Sequence, residues 1–425
     1  MIETIISQNR IQNKGGLICI CSAHEDVIHA SFNFLSQNPE VKISIESTVQ
    51  QVNQDGGYTG MTPQDFSDKV RDIAKIYNIS SDQYVLAGDH LGPNAWKSLS
   101  SSKAMEKSLV LVEEYVKAGY TKLHIDPSMS CNDENSPLSI EVIADRTAIL
   151  IQRAEKTAID YLGSSDHLFY IVGTEVPVPG GSQEHEDHVS VTPLQEVEYT
   201  INVIKKYLGT YNLQHIWSKV KGVVVQPGVE FGDDFVFPYI QGQAKELKLA
   251  ITDYNHLVYE AHSTDYQTTQ ALSGLVHDHF AILKVGPELT FSWREALFAL
   301  DKIEQENPNI TPKSNIREFI ETEMLAHPEY WKYYYNGSTE ELAFKRVYSL
   351  SDRIRYYWNS PKIVKKIQDS YPNLEKALNY ALVSQYLPWV LEYNEKYNCS
   401  EFSVQKILRW SVEKVIQKYF NAINN

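Results

Sequence analysis

An aspartate and a histidine stand side by side in the stretch AGDHLGPN, residues 87–94, after an apolar run and before a Gly-Pro turn. An acid beside an imidazole at a strand end can bind a metal ion, transfer a proton or cap a loop. Similar polar residues follow the other β-rich runs of the chain. Together the candidates are His24, Glu46, Asp89 with His90, Asp126, Glu175, Gln226, His262 with Asp265, and Lys284. Because ionisable groups are costly to bury without a partner or a function, this repetition predicts one shared functional site.

Four of these residues have the side chains of a divalent-metal site. His90 and His262 offer imidazole nitrogens, and Glu175 and Gln226 offer oxygens from two further strands. Such donors suit zinc or another first-row ion, and the two histidines must then lie within about 7 Å of each other. We therefore predict a divalent metal cofactor, with zinc as the first choice, that could polarise a sugar carbonyl.

Carboxylates next to the predicted metal site are the candidate acid–base groups. Asp89 could carry a proton, and Glu46, Asp126 or Glu175 could act as acid or base. The sequence contains no G-x-S-x-G motif, so nucleophilic chemistry by a serine triad is not expected.

Eight short β-rich runs alternate with helical segments in the first 310 residues. They are nearly continuous in apolar residues, which is typical of strands covered on both faces. The runs cover residues 16–24, 42–48, 84–90, 122–126, 168–175, 222–228, 257–265 and 280–287, and segments 104–119 and 139–158 have helical spacing. This order predicts an α/β fold, a (β/α)8 TIM barrel over residues 1–310, with catalytic groups at the carboxyl ends of its strands. A doubly wound open sheet is the alternative, although no G-x-G-x-x-G follows the first run.

Residues 311–425 differ in composition and are rich in Tyr and Trp, and residues 406–423 have helical spacing. We predict a helical extension packed on the barrel. Arg353 and Arg355 in SDRIRYYW are candidates to bind a substrate anion, with a surface salt bridge as the alternative. His24, Lys284 and Gln385 complete the predicted substrate-binding residues.

The bulk composition excludes several classes of function. The 425 residues carry a formal net charge of −15, which argues against binding to nucleic acid or to an anionic membrane surface. No stretch approaches 18 apolar residues, and the four cysteines lack the paired spacing of a zinc ribbon. A reduced, cytoplasmic setting is expected.

The chain resembles the GatZ/KbaZ family, the family of the non-catalytic subunit of bacterial tagatose-1,6-bisphosphate aldolase. The stretches that carry this resemblance extend from near the amino terminus to past residue 385. They are QVNQDGGYTGMTP, GDHLGPN, HIDPSMSC, GTEVPVPGG, VVVQPGVEF, YEAHSTDYQT, DHFAILKVGP, SDRIRYYW and SQYLP. The resemblance implies a TIM barrel related to class II, metal-dependent ketose-bisphosphate aldolases, and a role in supporting a separate catalytic subunit. Relatives of the family are also associated with metal-dependent epimerisation of ketohexoses at C4.

Against the pattern of the catalytic class II aldolases, Asp89 matches the catalytic aspartate, and His90 and His262 match metal ligands. Gln226 stands where those enzymes have a third metal-binding histidine, and the sequence AHSTD replaces their phosphate-binding Gly-Gly-Ser turn. Three functions follow as hypotheses. The protein is an accessory subunit of a class II aldolase in ketose catabolism, a metal-dependent tagatose/fructose 4-epimerase that works by retro-aldol and aldol steps, or a sugar-phosphate kinase. The lack of a P-loop disfavours the third. The expected partners are a ketose or ketose phosphate, a class II aldolase subunit, and further copies in a homo- or hetero-oligomer.

Overall fold

A closed barrel of eight parallel strands forms the centre of the protein, in a computed structural model that describes residues 1–173 and 189–425. Each strand pairs in parallel with the next in the ring, and the last pairs with β1. The barrel strands are β1 (Leu17–Cys21), β2 (Ile43–Thr48), β3 (Tyr84–Leu91), β4 (Lys122–Ile125), β5 (Phe169–Gly173), β6 (Val220–Val224), β9 (Val258–Ala261) and β10 (Ile282–Val285). The strands β7 (Glu230–Phe231) and β8 (Val236–Phe237) form a small hairpin outside the ring. The (β/α)8 fold and all eight predicted strands are confirmed.

Helices surround the barrel and build the carboxyl-terminal part. They are α1 (Ile2–Gln12), α2 (Glu25–Gln37), α3 (Pro63–Ile76), α4 (Ser101–Lys117), α5 (Ile140–Thr157), α6 (Leu194–Thr210), α7 (Lys245–Ile251), α8 (Thr269–His277), α9 (Pro287–Glu306), α10 (Ile316–Ala326), α11 (Thr339–Tyr348), α12 (Pro361–Ala377), α13 (Tyr380–Tyr386), α14 (Trp389–Lys396) and α15 (Val404–Asn424). The helices predicted at 104–119 and 139–158 correspond to α4 and α5. Among the described helices, none has the length and apolar character that a membrane span requires.

The amino-terminal helix α1 closes the bottom of the barrel. Ile2, Ile5 and Ile6 are buried in one apolar cluster with inward side chains of the strands, such as Phe169. Asn9 fixes the helix by donating a hydrogen bond to the carbonyl oxygen of Val276, at 2.9 Å. Because packing closes this end, a ligand can enter the barrel only at the opposite end, where the carboxyl ends of the strands lie.

The last helix, α15, packs directly against barrel helices α2, α8 and α9. A helix between α2 and α8 lies where the eighth helix of a (β/α)8 ring belongs, because those two follow the first and seventh barrel strands. Gly15 N donates to Ile423 O at 2.8 Å, and Arg409 Nε to Asp26 Oδ1 at 2.8 Å. The division at residue 310 remains a prediction, but the outer ring is completed by residues far beyond it.

Candidate metal and substrate site

Three imidazoles meet at the carboxyl ends of β3, β4 and β9. The ring centres of His90 and His124 are 5.0 Å apart, and His262 lies 5.1 Å from each of them. The two histidines predicted to share an ion are therefore close enough to do so. Three imidazoles that bind one tetrahedral zinc ion at usual distances place their ring centres about 5 Å apart, which is the separation observed.

Each imidazole is oriented by a carboxylate. The paired atoms, all 2.8 Å apart, are His90 Nδ1 and Asp126 Oδ2, His124 Nδ1 and Asp89 Oδ1, and His262 Nε2 and Glu260 Oε1. Metal-binding histidines characteristically use their second ring nitrogen in this way, because the pairing fixes the tautomer and the ring plane. The other ring nitrogen of His124, Nε2, is buried and has no hydrogen-bond partner. A buried nitrogen left in this state is costly unless a ligand occupies it.

A layer of buried ion pairs lies below the imidazoles, inside the barrel. Lys122 Nζ is 2.8 Å from Glu46 Oε1 and 2.6 Å from Glu260 Oε2, and all three side chains are fully buried. Lys284 also pairs with Glu46, and its Nζ is 2.6 Å from Asp89 Oδ1. The layer thus connects β2, β3, β4, β9 and β10 and reaches the imidazoles through Asp89 and Glu260.

The charges of this cluster leave room for a dication. Its carboxylates outnumber its ammonium groups by two, with Glu46, Asp89, Asp126 and Glu260 on one side and Lys122 and Lys284 on the other. The described carboxylates and ammonium groups therefore sum to −2. Burial lowers the pKa of His90, but Asp89 and Asp126 outweigh it and raise that pKa, so a protonated His90 would balance one of these charges and a bound divalent ion would balance both. Donor atoms of Asp89, His124, Glu260 and His262 also lie within 4.8 Å of one another. These four residues form a possible metal-binding cluster, and the ring centre of His90 lies 5.0 Å from that of His124 and 5.1 Å from that of His262.

Burial and the neighbouring charges shift the pKa values of the side chains in this cluster. Burial raises the pKa of the Asp89 carboxyl, but His90, Lys284 and His124 outweigh it and hold the pKa well below its usual value. Burial likewise raises the pKa of Asp126, and the hydrogen bond and charge of His90 bring it down to about 2. Desolvation lowers the pKa of His262 to about 4, so its imidazole is neutral and has a lone pair at neutral pH. Asp89 is ionised at neutral pH.

The local sequence explains how β3 brings Asp89 and His90 to this point. The register between β3 and β4 shifts between Gly88 and Leu91, and His90 has a left-handed backbone with φ of 52°. A non-glycine residue in this region is uncommon and is held there by its surroundings. At Gly92, a Cβ atom would lie only 2.0 Å from the carbonyl oxygen of Asp126. The glycine therefore permits the close approach of the two strand ends that joins His90 to Asp126.

A cavity of about 110 Å³ opens above the cluster. Its walls come from the strand ends and from the turn at residues 353–359 in the carboxyl-terminal part. The lining includes Cys21, His24, Thr48, Tyr58, Asp89, His90, His262, Asp265, Lys284, Arg355, Tyr356 and Trp358. Seven of the lining residues were candidates from sequence, and the structure brings them together at one cavity: His24, Asp89, His90, His262, Asp265, Lys284 and Arg355.

Two further candidates lie just below the cavity. Glu46 is fully buried in the ion layer, and Asp126 accepts hydrogen bonds from Ser128 and pairs with His90. Neither Glu46 nor Asp126 is among the described residues that line the cavity. Their predicted role as acid or base therefore stays a prediction without a direct contact to a ligand in the cavity. Both act on residues that do line it.

Three predicted site residues, Gln226, Arg353 and Gln385, are not brought to the cluster. The side-chain oxygen of Gln226 accepts hydrogen bonds from Gly228 N at 2.8 Å and Val229 N at 3.0 Å, so it holds a turn after β6. Arg353 stacks on Tyr334, with 3.2 Å between the guanidinium carbon and the ring centre. Gln385 is exposed on α13, and Glu175 lies outside the described residues.

Three important members of the cluster were not identified from sequence: Lys122, His124 and Glu260. The signal was present as alternation within two strands. In KLHID, residues 122, 124 and 126 are all ionisable and, at a spacing of two, share one face of β4. Glu260 and His262 repeat the pattern at β9.

Comparison with known proteins agrees with this architecture. A family model described as "D-tagatose-1,6-bisphosphate aldolase subunit GatZ/KbaZ-like" matches residues 2–424. A solved structure of a probable tagatose 6 phosphate kinase from Sinorhizobium meliloti 1021 is 38% identical, with a TM-score of 0.84, and the match covers 96% of this chain and 100% of that chain.

Two more distant structures share low identity with this chain. The YdjI aldolase from Escherichia coli K12 is 9% identical, with a TM-score of 0.45, over 89% of this chain and 99% of that chain. The fructuronate-tagaturonate epimerase UxaE from Cohnella laeviribosi is 12% identical, with a TM-score of 0.46, over 96% and 82% of the two chains. The resemblance seen in the sequence motifs is confirmed by the family match. The chain belongs to the D-tagatose-1,6-bisphosphate aldolase subunit GatZ/KbaZ-like family.

Proposed function

We propose that this protein is itself a metal-dependent enzyme that inverts C4 of a ketohexose by breaking and re-forming the C3–C4 bond. The observation that carries the proposal is the set of three carboxylate-oriented imidazoles, two of which, His90 and His262, line a cavity together with Asp89 and Lys284. A divalent ion, zinc by preference, held by His90, His124 and His262 would supply Lewis-acid polarisation of the ketose carbonyl.

Asp89 is placed to move the proton. Its Oδ1 is occupied by His124 and Lys284, whereas its Oδ2 is 3.3 Å from Cys21 Sγ and 3.7 Å from His90 Nε2. Oδ2 is therefore the atom that would take the proton of the C4 hydroxyl as the C3–C4 bond breaks. The electron pair of that bond moves to the C2 oxygen, and the C4 fragment becomes an aldehyde. Addition to the opposite face of this aldehyde re-forms the bond, and Asp89 returns the proton to the new C4 oxygen.

Lys284 and the turn at residues 353–359 would support this chemistry. The ammonium group of Lys284 lines the cavity and can stabilise the negative charge that develops on the sugar oxygens. Tyr356 and Trp358 close the cavity from the side of the carboxyl-terminal part, which would exclude water and retain the aldehyde between the two steps.

A second candidate function is that of an accessory subunit for a class II aldolase, acting in the catabolism of tagatose or galactitol. The family description favours it, because it names an aldolase subunit. In that case the cavity would bind a ketose or ketose phosphate without turnover, and the partner would be a catalytic aldolase chain. A kinase activity is not proposed for this chain, because its sequence contains no G-x-x-x-x-G-K-[ST] motif.

The Asp89→Asn variant separates the two candidates. Asparagine keeps the size of the side chain but cannot accept the proton, so 4-epimerase activity on tagatose, fructose and their phosphates should fall about 10²- to 10⁴-fold. Metal content, measured on the same samples, should remain close to that of the wild type. As a control, Asp301→Asn changes another buried aspartate, which accepts a hydrogen bond from Ile316 N at 2.8 Å and does not line the cavity. That variant should keep full activity.

The result that contradicts the enzymatic proposal is equally clear. A metal-loaded wild type would be inactive alone on every one of these sugars, yet would raise the activity of a class II aldolase as well as Asp89→Asn does. That outcome would assign the protein the accessory role.

A further inference from the structure

The amino end of helix α9 forms one wall of the cavity. Gly286, Pro287 and Thr290, from the loop after β10 and the first turn of the helix, all line it. In (β/α)8 barrels this region commonly binds a phosphate group, because unpaired backbone N–H groups and the helix dipole favour an anion. The acceptor that is bound to these N–H groups therefore determines whether a phosphate group or an uncharged end of a substrate can lie there.

In this chain the N–H groups are already taken by a side chain. Asp265 follows β9, is 3% exposed, and accepts hydrogen bonds through Oδ1 from Gly286 N at 2.9 Å and from Glu288 N at 2.8 Å. The turn that presents it contains two non-glycine residues with left-handed backbones, Ser263 with φ of 52° and Tyr266 with φ of 63°. Asp265 thus replaces an external anion at the helix end.

A second carboxylate adds to the negative field at this position. Glu288 stands in the first turn of α9, accepts a hydrogen bond from Tyr266 N at 2.7 Å and pairs with Lys418. Burial first, and then the charge of Glu288, raise the pKa of Asp265 to about 7. Near neutral pH the Asp265 carboxyl can therefore both accept and donate a hydrogen bond, which suits a sugar hydroxyl.

We propose that Asp265 is a specificity-determining residue that closes the amino end of α9 to phosphate and receives a hydroxyl-bearing end of the ketose there. This inference rests on the proposed function in one respect, namely that the cavity binds a ketose. It narrows the substrate class to sugars that carry no phosphate at this end, and so excludes ketose bisphosphates. Arg355 lines the same cavity, so one anionic group elsewhere on the sugar remains compatible.

Binding of inorganic phosphate tests this without any need for turnover. Asp265→Asn keeps the size of the side chain but replaces the carboxylate by a neutral and weaker acceptor, which a phosphate oxygen can displace from the two N–H groups. We expect titration calorimetry at pH 8, where the wild-type carboxyl is ionised, to show at least tenfold tighter phosphate binding to Asp265→Asn than to the wild type. The matched control is Asp301→Asn, another buried aspartate that caps a helix, which should bind phosphate as the wild type does.

A second variant serves if Asp265→Asn does not fold. Glu288→Gln leaves Asp265 in place and removes only the neighbouring charge, so it should strengthen phosphate binding by a smaller factor. Where the wild type is active, Asp265→Asn should also raise kcat/KM for phosphorylated ketoses relative to free ketoses. Unchanged phosphate affinity in both folded variants would overturn the proposal. Tighter phosphate binding in a protein that turns over no sugar would instead leave this inference standing and remove the proposed function.

Discussion

Replacing Lys122 by methionine tests whether the buried ion layer holds the barrel together. Lys122 is fully buried and bridges Glu46 and Glu260 at 2.8 and 2.6 Å. Without it, Glu46 still pairs with Lys284 and accepts a hydrogen bond from Ser44. Glu260 loses more, because its next ammonium group, that of Lys284, is 3.9 Å away. The variant therefore leaves a carboxylate deep in the barrel without a close cation.

The expected loss of unfolding free energy is about 3–5 kcal/mol, the usual effect of removing one partner of a buried pair. A suitable control is Lys107→Met. Lys107 Nζ is also 2.8 Å from a carboxylate, that of Asp55, but the two side chains are 39% and 52% exposed. Solvent screens such a pair, so the control should lose only about 0.2–1 kcal/mol. Both lysines lie 2.8 Å from a carboxylate oxygen, but Lys122 is fully buried and bridges two carboxylates, whereas Lys107 is exposed and pairs with one.

The measurement is urea unfolding of metal-free protein, followed by circular dichroism, at several pH values. In the wild type, burial raises the pKa of Glu260, but Lys122 and Lys284 hold it well below its usual value. A carboxyl with a lowered pKa contributes stability at neutral pH and loses it as the pH falls through the folded-state pKa. In Lys122→Met the largest lowering cause is gone, so burial raises the pKa of Glu260. The deficit of the variant should then be greatest at neutral pH and shrink on acidification.

A double variant, Lys122→Met with Glu260→Gln, should recover part of the lost stability, because it removes the carboxylate that was left unpaired. The reasoning fails if Lys122→Met loses no more than Lys107→Met, or if its deficit grows as the pH is lowered.

Two further predictions concern the metal and the last helix. His124→Ala should reduce the bound divalent metal at least tenfold, as measured by elemental analysis. The control His215→Ala, at an exposed histidine, should leave the metal content unchanged. If the two variants bind equal amounts of metal, His124 is not a ligand. Deletion of residues 404–425 should prevent folding of the barrel, as seen in loss of the cooperative thermal transition, because α15 buries at least eight apolar side chains worth about 1.5–3 kcal/mol each. That sum, about 12–24 kcal/mol, is comparable to or larger than the usual net stability of a domain, about 5–15 kcal/mol. A truncated chain with a normal transition would contradict the prediction.

The barrel could be predicted from sequence because its strands are covered on both faces. Runs such as residues 16–24 and 280–287 are almost continuously apolar, and each is followed by a helical segment. The position of α15 could not be predicted in the same way. Its helical spacing is clear, but the helices against which it packs, α2 and α8, are distant in sequence, and nothing in the segment itself identifies them.

The candidate site was predictable where a polar residue ends a strand. Asp89, His90 and His262 stand at such positions, and all three line the cavity. Lys122 and Glu260 lie one layer deeper, where a lone charge would be prohibitively costly. They are tolerated because the barrel register places them beside each other and Glu46 beside Lys122, and that register is not visible in either strand alone. Gln226 shows the opposite error, a residue that was predicted for the site but does not reach it. A polar residue at a strand end can also serve only to stabilise its own turn.

The stability of the site and its chemistry depend on the same side chains. Glu260 orients His262 and also neutralises Lys122, and Asp89 orients His124 and also pairs with Lys284. A truncation to alanine at Asp89 or Glu260 would therefore remove an orienting group and unbalance the buried charges at once. Loss of activity in such a variant could not be assigned to catalysis. Isosteric changes, aspartate to asparagine and glutamate to glutamine, remove the charge or the proton acceptor while keeping the packing, and only they can separate the two roles.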